Sequence, residues 1–579
     1  MSRERLWAWG AAAAAGVAFA ATAAPRVTLV DAGELAVAAA TLGVAHPPGF
    51  PVWVLVTHLL VRALPLPPVH AAALGSALAG AAAVGLLAAA AGELARAVAP
   101  GRAAASAGAA AALALGFGRP FWRYATVVEV YALTMALVAA VLALALRPGV
   151  GGRRRIATAA GLGLAAGLGL GVHHVTVALA LPAAALLAWE RWPAPRELVA
   201  AGAGLVSGLA AYLELPLAAR AGVSPLLWGD PRDLAALWRH VSGWQYRVNV
   251  LAGSWSETVR HAGEVAATLA TAMTPLVPLL AAVGLARLWR TSRRRAVAAG
   301  LLVVPPAAYA AVYQIAEDRD AYLLLPLAGL ALLAAVGVAH AARRRPGRAA
   351  VALLLPAVLL ASGWRECDRR GDRVAVTYVR DAVGSLPPRS VLLTMDWQLY
   401  SPWLAMRHLE GFRPEVAVVD VNLVRRSWYV RRQLPREAPA MAAACAAPAA
   451  AFLGPLERWE GGEAVDPGLL TRRFRALLDC YLHWGAAHGG AFVTVPMEPG
   501  IGRGLEAVPW GLAVALVRPG AAPPPGAPEL HPQALLAAPA AADPVALAKV
   551  RAAYAAALRR GTGPLRRSPR PATRPHAPR

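Results

Sequence analysis

Long apolar runs constrain this chain more than any other feature. Runs of Ala, Leu, Val and Gly recur from the N-terminus to about residue 362, and 58% of the 579 residues are hydrophobic. A helix of about 20 residues crosses a hydrocarbon core of about 30 Å. The pattern therefore predicts a polytopic α-helical membrane protein with about 11 spanning helices. We assign them to residues 6–23, 71–92, 103–118, 126–146, 156–172, 175–190, 198–218, 262–290, 296–314, 321–341 and 348–362.

The arginines orient these helices. Much of the net charge of +24 lies in short loops between apolar runs and near the C-terminus. Loops rich in Lys and Arg stay in the cytoplasm, so we place the N-terminus, with Arg3 and Arg5, inside. The basic loops then all fall inside, with Arg96 and Arg102, Arg147 and Arg153–Arg155, Arg191 and Arg196, Arg287–Arg295, and Arg343–Arg348. This distribution accounts for the charge, and we expect no nucleic-acid partner.

The same topology places several loops on the outer side. They are a first outer loop over residues 24–70, a short loop over 119–125, the turn at His173-His174, a large outer loop over 219–261 and a loop over 315–320. Residues 1–24 also have the pattern of a cleavable signal peptide. We expect an uncleaved first helix that anchors the first outer loop, and cleavage would leave that loop outside. The apolar segment 50–65 is too short to span and is expected at the outer interface.

The first outer loop carries two carboxylates and a rigid histidine. Asp31 and Glu34 are spaced so that a helical turn places both on one face. A carboxylate near the bilayer, withdrawn from bulk water, is a candidate general base. A solvated loop start, or a helix N-cap by Asp31, is the alternative. In His46-Pro47-Pro48 the prolines exclude helix, which holds His46 in a defined place or simply turns the chain into the next helix.

A second polar group lies at the outer end of the fourth predicted helix. Arg119 and Arg123 are followed by Glu129 and Tyr131. Glu129 falls inside an apolar run, where an ionisable group is costly and usually functional. The arginines either pair with Glu129 or hold a phosphate.

Further polar groups occur in the other outer loops. His173 and His174 favour hydrogen bonding to a ligand or a neighbouring helix over a metal pair, because adjacent helical residues face different directions. Trp228 and Asp230 lie in the large outer loop, where Trp suits either a membrane interface or a sugar. Arg319, in Glu317-Asp318-Arg319-Asp320, is either a phosphate ligand or a salt-bridge partner. No metal-binding motif is present, so we expect no cofactor and metal-independent chemistry.

The region after residue 362 has a different pattern. Segments 390–394, 415–419, 492–495 and 512–516 are typical of buried strands, with helical stretches such as 398–410 and 470–484 between them. We predict a transmembrane domain over 1–362, an extracytoplasmic α/β domain over 363–561, and a basic, Pro-rich disordered tail over 562–579. Asp543-Pro544 is expected to begin a helix that Gly561 ends. Cys367, Cys445 and Cys480 allow one disulfide or inert thiols.

These motifs together resemble a known family. Asp31-x-Gly-Glu34 followed by Leu42-Gly43, the sequence HPPGFP over 46–51, Phe121-Trp122 with EVYAL over 129–133, WGDP over 228–231, and the region 313–326 occur in the order found in the membrane O-mannosyltransferase-like family. The bacterial members of that family mostly carry a label of unknown function. The resemblance covers roughly residues 25–330, and the His173-His174 pair departs from it, since an Asn-His pair is expected there.

The resemblance implies a GT-C-like fold and a glycosyltransferase of the bacterial inner membrane. It implies a polyprenyl-phosphate-linked sugar, mannose by analogy with the family, and an inverting transfer to a hydroxyl acceptor, with a protein Ser or Thr favoured and a glycan or a lipid as the alternatives. Asp31 is then the expected base and Glu34 the second candidate, while Glu129 orients acceptor or sugar. His46, Arg123 and Arg319 are the candidates for the phosphate. A transporter or lipid flippase, and an inactive envelope scaffold, are the competing interpretations.

Overall fold

The computed structural model describes residues 3–99, 101–147, 152–189, 193–522, 524, 528–540 and 542–560. Two compact units divide the chain. The first comprises residues 1–376, 401–411 and 537–547, and the second comprises the described residues of 377–400, 412–536 and 548–560. The predicted domain boundary at residue 362 lies 14 residues before residue 376, where the first segment of the first unit ends. Two later segments, 401–411 and 537–547, also belong to the first unit. The predicted tail lies outside the described residues.

Helices make up the first unit as the apolar runs predict. Up to residue 367 they are α1 Arg3–Thr22, α2 Ala32–Thr41, α3 Pro51–Ala63, α4 Pro68–Ala95, α5 Arg102–Gly116, α6 Arg119–Tyr124, α7 Tyr131–Ala145, α8 Arg153–Ala188, α9 Pro195–Leu209, α10 Glu214–Ala221, α11 Leu234–Val241, α12 Trp255–Thr271, α13 Leu276–Thr291, α14 Arg293–Val312, α15 Leu324–Ala342 and α16 Leu354–Cys367. Several begin with Pro in the first turn, where its missing N–H costs no hydrogen bond.

Six helices of the described residues are long and apolar enough to cross a membrane. They are Pro68–Ala95, Arg153–Ala188, Pro195–Ala221, Arg293–Val312, Arg319–Ala342 and Ala349–Cys367. A seventh span results if α12 and α13 are counted together, although they are bent by 89°. The chain is therefore a multi-pass membrane protein, and the count of about 11 spans stays a prediction.

One predicted span is two helices in the structure, and two other predicted spans meet at a kink. The single helix expected over 262–290 is two helices, because Thr274 adopts a positive φ of 73° between α12 and α13. The two helices expected at 156–172 and 175–190 lie within α8, where they meet at a kink whose non-helical residue is His173 (φ −147°, ψ 92°). The predicted turn is thus a break at the predicted residue.

Glycines let the helices of the first unit approach closely. A Cβ on Gly163 of α8 would lie 1.9 Å from the Ala201 carbonyl oxygen of α9, and one on Gly284 of α13 would lie 1.9 Å from that of Leu333 in α15. No larger residue fits at such backbone contacts.

The later helices are α17 Val374–Val383, α18 Trp397–Glu410, α19 Val421–Val424, α20 Leu434–Glu437, α21 Pro439–Ala444, α22 Ala446–Glu460, α23 Pro467–His488 and α24 Pro544–Arg560. The strands of the second unit are β1 Val391–Thr394, β2 Ala417–Asp420, β3 Ala491–Val493, β4 Glu506–Trp510 and β5 Ala513–Val517. Their order is β2-β1-β3-β5-β4, with β1, β2 and β3 parallel and β4 and β5 antiparallel.

The second unit is the predicted α/β sheet with one additional strand. The four predicted strands are present, and β4 was missed, because Pro509 within it weakens a strand signal. Cys445 and Cys480 form a disulfide, whereas Cys367 is a buried free thiol. The helix at Asp543-Pro544 is confirmed as α24, and its predicted end at Gly561 lies outside the described residues.

Candidate active site

The site begins with Glu34 of α2 and with His46, which lies in the turn that follows this helix. Glu34, in the first turn of that helix, is fully buried. Its Oε1 accepts a hydrogen bond of 2.8 Å from the His46 backbone N–H, and its Oε2 lies 2.8 Å from His46 Nδ1. Because both oxygens serve His46, Glu34 fixes the backbone and the ring of the histidine together.

The other face of the imidazole meets Asp31. His46 Nε2 lies 3.8 Å from Asp31 Oδ2, and the Asp31 side chain is 23% exposed. Asp31 and Glu34 thus both face the His46 ring, in agreement with the common face that their spacing predicts. Burial lowers the pKa of His46, but the charges of Glu34 and Asp31 outweigh it and raise that pKa to about 9. Burial raises the pKa of Glu34, against the opposing effect of His46. The imidazole is therefore cationic at neutral pH.

Three carboxylates from distant parts of the chain meet beside this imidazole. One oxygen each of Asp31, Glu129 and Asp318 lie within 4.8 Å of one another. Glu129 and Asp318 are buried, and Asp31 is partly open. Oxygen ligands at this spacing are of the type that Mg²⁺ or Mn²⁺ binds. The same spacing also suits two carboxylates that flank a substrate hydroxyl, so the geometry by itself does not require a cation.

A buried guanidinium neutralises part of this acidity. Arg123 Nη2 donates to Asp318 Oδ1 at 2.9 Å and to Asp543 Oδ2 at 2.8 Å. Asp543 Oδ2 also accepts from the Asp318 backbone N–H at 3.1 Å, while its Oδ1 accepts from Val545 and Ala546 at the start of α24. Buried charges persist when they are paired and hydrogen-bonded in this way.

Aromatic rings connect the acidic cluster to the outer helix ends. Tyr131 packs against Tyr124 at 4.8 Å and against His173 at 5.6 Å between centroids, and His173 in turn contacts Tyr322 at 5.5 Å. On the other side, the His46 ring lies 6.0 Å from that of Trp228. Such rings present flat apolar faces with polar edges, a lining that suits a sugar.

The first outer loop, the large outer loop and a later segment are joined at the site by hydrogen bonds. Val44 of the first outer loop and Leu227 of the large outer loop form a parallel bridge. His240 Nε2 lies 3.0 Å from the Ala45 carbonyl oxygen. The Glu34 N–H donates to Ser401 Oγ at 3.2 Å. The predicted convergence of these loops on one end of the helices is therefore present in the first unit.

Comparisons with known proteins find similarity over part of this chain. A family model described as the N-terminal domain of protein O-mannosyl-transferase TMEM260 matches residues 31–196. Residues 31–196 are thus similar to this domain of TMEM260. Mouse (Mus musculus) protein O-mannosyl-transferase TMEM260 is 27% identical over 480 residues, or 76% of this chain, and the chain spans 64% of that relative's length.

Two solved structures are also similar to the chain. ArnT from Cupriavidus metallidurans in the apo state is 16% identical, with a TM-score of 0.47 over 75% of this chain and 92% of ArnT. ArnT bound to undecaprenyl phosphate is 15% identical, with a TM-score of 0.45 over 73% of this chain and 91% of ArnT.

The TMEM260-like domain supplies most of the predicted site residues. Asp31, Glu34, His46, Arg123 and Glu129 lie in it and meet as described above, and so do Tyr131 and His173. Trp228 joins them from the large outer loop. His174 stacks on His173 with centroids 6.4 Å apart, and its Nδ1 is buried without a hydrogen-bond partner. The roles assigned to these residues stay predictions.

Three predicted site residues make other contacts. Arg119, whose side chain is 63% exposed, pairs with Glu366. Asp230 pairs with Arg232 at 2.8 Å. Arg319 donates to the Ile315 carbonyl oxygen and pairs with Glu264. Their proposed phosphate or sugar contacts gain no support from this geometry.

Sequence reasoning missed residues that complete the site around the TMEM260-like domain. A cleft beside the cluster is lined by Arg123, Glu129, Asp318, Arg369 and Asp543, among others. Asp318 directly precedes the predicted site residue Arg319. An acidic residue at the start of a predicted helix near the membrane is the sequence signal that could have identified it. Asp543 was recognised only as a helix start, and Ser401 gave no signal, because both reach the site from more than 200 residues beyond the domain.

Proposed function

We propose that the chain is a membrane glycosyltransferase of the GT-C type. In this proposal it moves a sugar, mannose, from a polyprenyl-phosphate donor to a hydroxyl acceptor, a Ser or Thr of a protein, on the outer face with inversion. The observation that carries the proposal is the partly open Asp31 carboxylate, which lies 3.8 Å from the His46 imidazole and within 4.8 Å of the buried acids Glu129 and Asp318, in a chain whose residues 31–196 resemble TMEM260.

The proposed transfer is a single displacement at the anomeric carbon. Asp31 takes the proton of the acceptor hydroxyl, and the acceptor oxygen forms a bond to the anomeric carbon. The bond from that carbon to the phosphate oxygen breaks, and its electron pair leaves with the polyprenyl phosphate. Attack opposite the leaving group inverts the anomeric centre. The His46 ring lies 3.8 Å from Asp31, so it belongs to the acceptor side and orients the Asp31 carboxylate.

The geometry favours Asp31 over Glu34 as the base. Both Glu34 oxygens are occupied by His46, and the side chain is sealed from solvent. Asp31 lies at the open edge of the cluster, where an acceptor can approach. Glu34 then acts as a positioning residue that holds the imidazole, and Glu129 is left to orient the acceptor or the sugar.

Two features support an outer location for this chemistry. Basic loops lie at the opposite ends of the helices, as expected for the cytoplasmic side of an inner membrane. The Cys445–Cys480 disulfide belongs to the second unit, and disulfides persist in oxidising compartments. The proposal therefore places the second unit outside the cytoplasm and the donor lipid in the surrounding bilayer.

The test uses membranes from cells that express the chain, supplied with radiolabelled polyprenyl-phosphate mannose. Label in protein that is absent from membranes without the chain supports protein transfer. Label that appears in glycan or lipid instead keeps the enzyme and replaces the acceptor. If label crosses the membrane while still attached to its lipid, the flippase interpretation replaces the enzyme.

A further inference from the structure

Three helices carry a dense group of guanidinium groups at the end opposite the acidic cluster. Helix α14 begins at Arg293 and ends at Val312, next to the loop that holds Asp318. Its 20 residues rise by about 30 Å, the thickness of a bilayer core. The group, named the arginine patch, comprises Arg287, Arg290, Arg293, Arg295, Arg343, Arg344 and Arg345.

Helix packing brings the members of this patch together. Only Ser292 separates the end of α13 from the start of α14. Helices α13 and α15 touch at their backbones, since a Cβ on Gly337 would lie 2.2 Å from the Leu280 carbonyl oxygen. Arg287 of α13 and Arg343 both act electrostatically on His340 of α15. The arginines at the ends of all three helices therefore form one surface.

Helices α13, α14 and α15 themselves contain no carboxylate that could offset this charge. The sequence contains no Asp or Glu from residue 265 to 316 or from 321 to 365. Arg290, Arg293, Arg343, Arg344 and Arg345 are exposed. Like charges packed this densely repel one another, so the surface favours an anionic ligand with several charges.

An aromatic residue beside the patch indicates where that ligand lies. Trp289 is 51% exposed, and the guanidinium of Arg293 lies 6.0 Å from its ring centroid. Exposed Trp beside Arg is typical of the level of lipid headgroups. The neighbouring Leu285 is also exposed, which continues the surface into the apolar side of the bilayer.

We propose that the arginine patch binds an anionic phospholipid of the leaflet opposite the acidic cluster. The headgroup phosphate lies among the guanidinium groups of α13, α14 and α15, and the acyl chains lie along Leu285 and Trp289. Basic pockets between helices on the cytoplasmic side bind such headgroups, and a lipid with two phosphates, of the cardiolipin type, fits the number of arginines best. This site is independent of the proposed transfer reaction.

The experiment measures lipid retention by the intact purified protein with native mass spectrometry. Wild type is titrated in detergent with cardiolipin, phosphatidylglycerol or phosphatidylcholine, and compared with the triple variant R290Q/R293Q/R343Q. We expect selective retention of the anionic lipids, weakened by about a hundredfold in the triple variant, or about fivefold for each guanidinium. The control is R239Q, which removes an exposed arginine of the large outer loop.

Two further arms make the result decisive. The variant R290K/R293K/R343K keeps the charge and should retain anionic lipid, which separates loss of the site from loss of folding if the glutamine variant is unstable. Inorganic phosphate, added as a competitor, should displace little lipid. Equal retention of phosphatidylcholine and cardiolipin, or full displacement by phosphate, would overturn the proposal in favour of general membrane contact or a small-anion site.

Discussion

At the scale of single residues, the position of Asp31 decides what the site can do. Replacing Asp31 by Asn keeps the shape and removes the proton acceptor, so we expect transfer to fall by about 10²–10⁴-fold. The measurement is the initial rate of label transfer in membranes with equal amounts of protein. Asp233→Asn is the matched control, because Asp233 is an exposed N-cap of α11 and Asn caps equally well. Unchanged transfer in Asp31→Asn would reassign the base.

His46 gives the site a pH dependence with a defined sign. Its pKa of about 9 lies above the ordinary 6.5, so its charge stabilises the fold fully below pH 6.5 and ceases to do so as pH rises through about 9. The groups facing the ring are Asp31 and Glu34, with Asp318 at longer range. We expect wild type to lose thermal stability relative to His46→Gln as pH rises from about 6.5 to about 9. Transfer should fall as pH rises through about 9. Parallel stability profiles for the two proteins would contradict this assignment.

The three carboxylates also lead to a prediction about metal ions. Arg123 pairs with Asp318 and the His46 imidazole lies beside Asp31, so two of the three acids already have a basic partner, which each shares with a further acid. We expect transfer to persist within about twofold in EDTA, because these partners compete with a divalent ion for the carboxylates. Loss of transfer that Mg²⁺ or Mn²⁺ restores would show instead that Asp31, Glu129 and Asp318 hold a cation.

At the scale of elements, α2 can be tested through its close contact with α18. A Cβ on Gly33 would lie 1.9 Å from the Ser401 carbonyl oxygen and 2.7 Å from Pro402 Cα. Gly33→Ala must shift α2, which carries Glu34, so we expect a loss of about 1–3 kcal/mol in stability together with reduced transfer. Thermal unfolding and the transfer assay measure both. Gly202→Ala in α9 is the control, because nothing lies within 4 Å of its added Cβ, and equal behaviour of the two variants would contradict the contact.

The elements that sequence predicted are those whose signal is local. Apolar runs predicted the helices, and Val- and Leu-rich segments typical of buried strands predicted β1, β2, β3 and β5. Asp31, Glu34 and His46 were found because they lie within 16 residues of one another. The 89° bend between α12 and α13 was not predicted, because an apolar run has the same composition whether the helix is straight or bent. Ser401 and Asp543 were not predicted as site residues, because their contacts depend on long-range packing. The periodicity of hydrophobic residues along the sequence does not encode such packing.

At the scale of the whole molecule, the first unit is not built from contiguous sequence. Segments 401–411 and 537–547 belong to it, and each supplies a polar contact to the site. Ser401 accepts from Glu34, and Asp543 holds Arg123. The chain after residue 400 therefore contributes side chains to the site itself.

This dependence predicts opposite outcomes for two truncations. A chain that ends at Leu536 lacks Asp543 and leaves the Arg123 guanidinium with one buried partner fewer, so we expect loss of transfer. A chain that ends at Arg560 keeps α24 and Asp543, and should transfer as the full chain does. The transfer assay on membranes with matched protein amounts compares the two.

The point variant Asp543→Asn separates the loss of charge from the loss of α24. Asn still caps the helix, so the fold should persist, while the charge opposite Arg123 disappears. Removing one partner of a buried pair costs about 3–5 kcal/mol, and we expect Asp543→Asn to lower both stability and transfer. Asp466→Asn, at the exposed N-cap of α23, should change neither. If Asp543→Asn transfers normally while the Leu536 truncation does not, the C-terminal helix acts through the fold and Asp543 has no part in arranging the site.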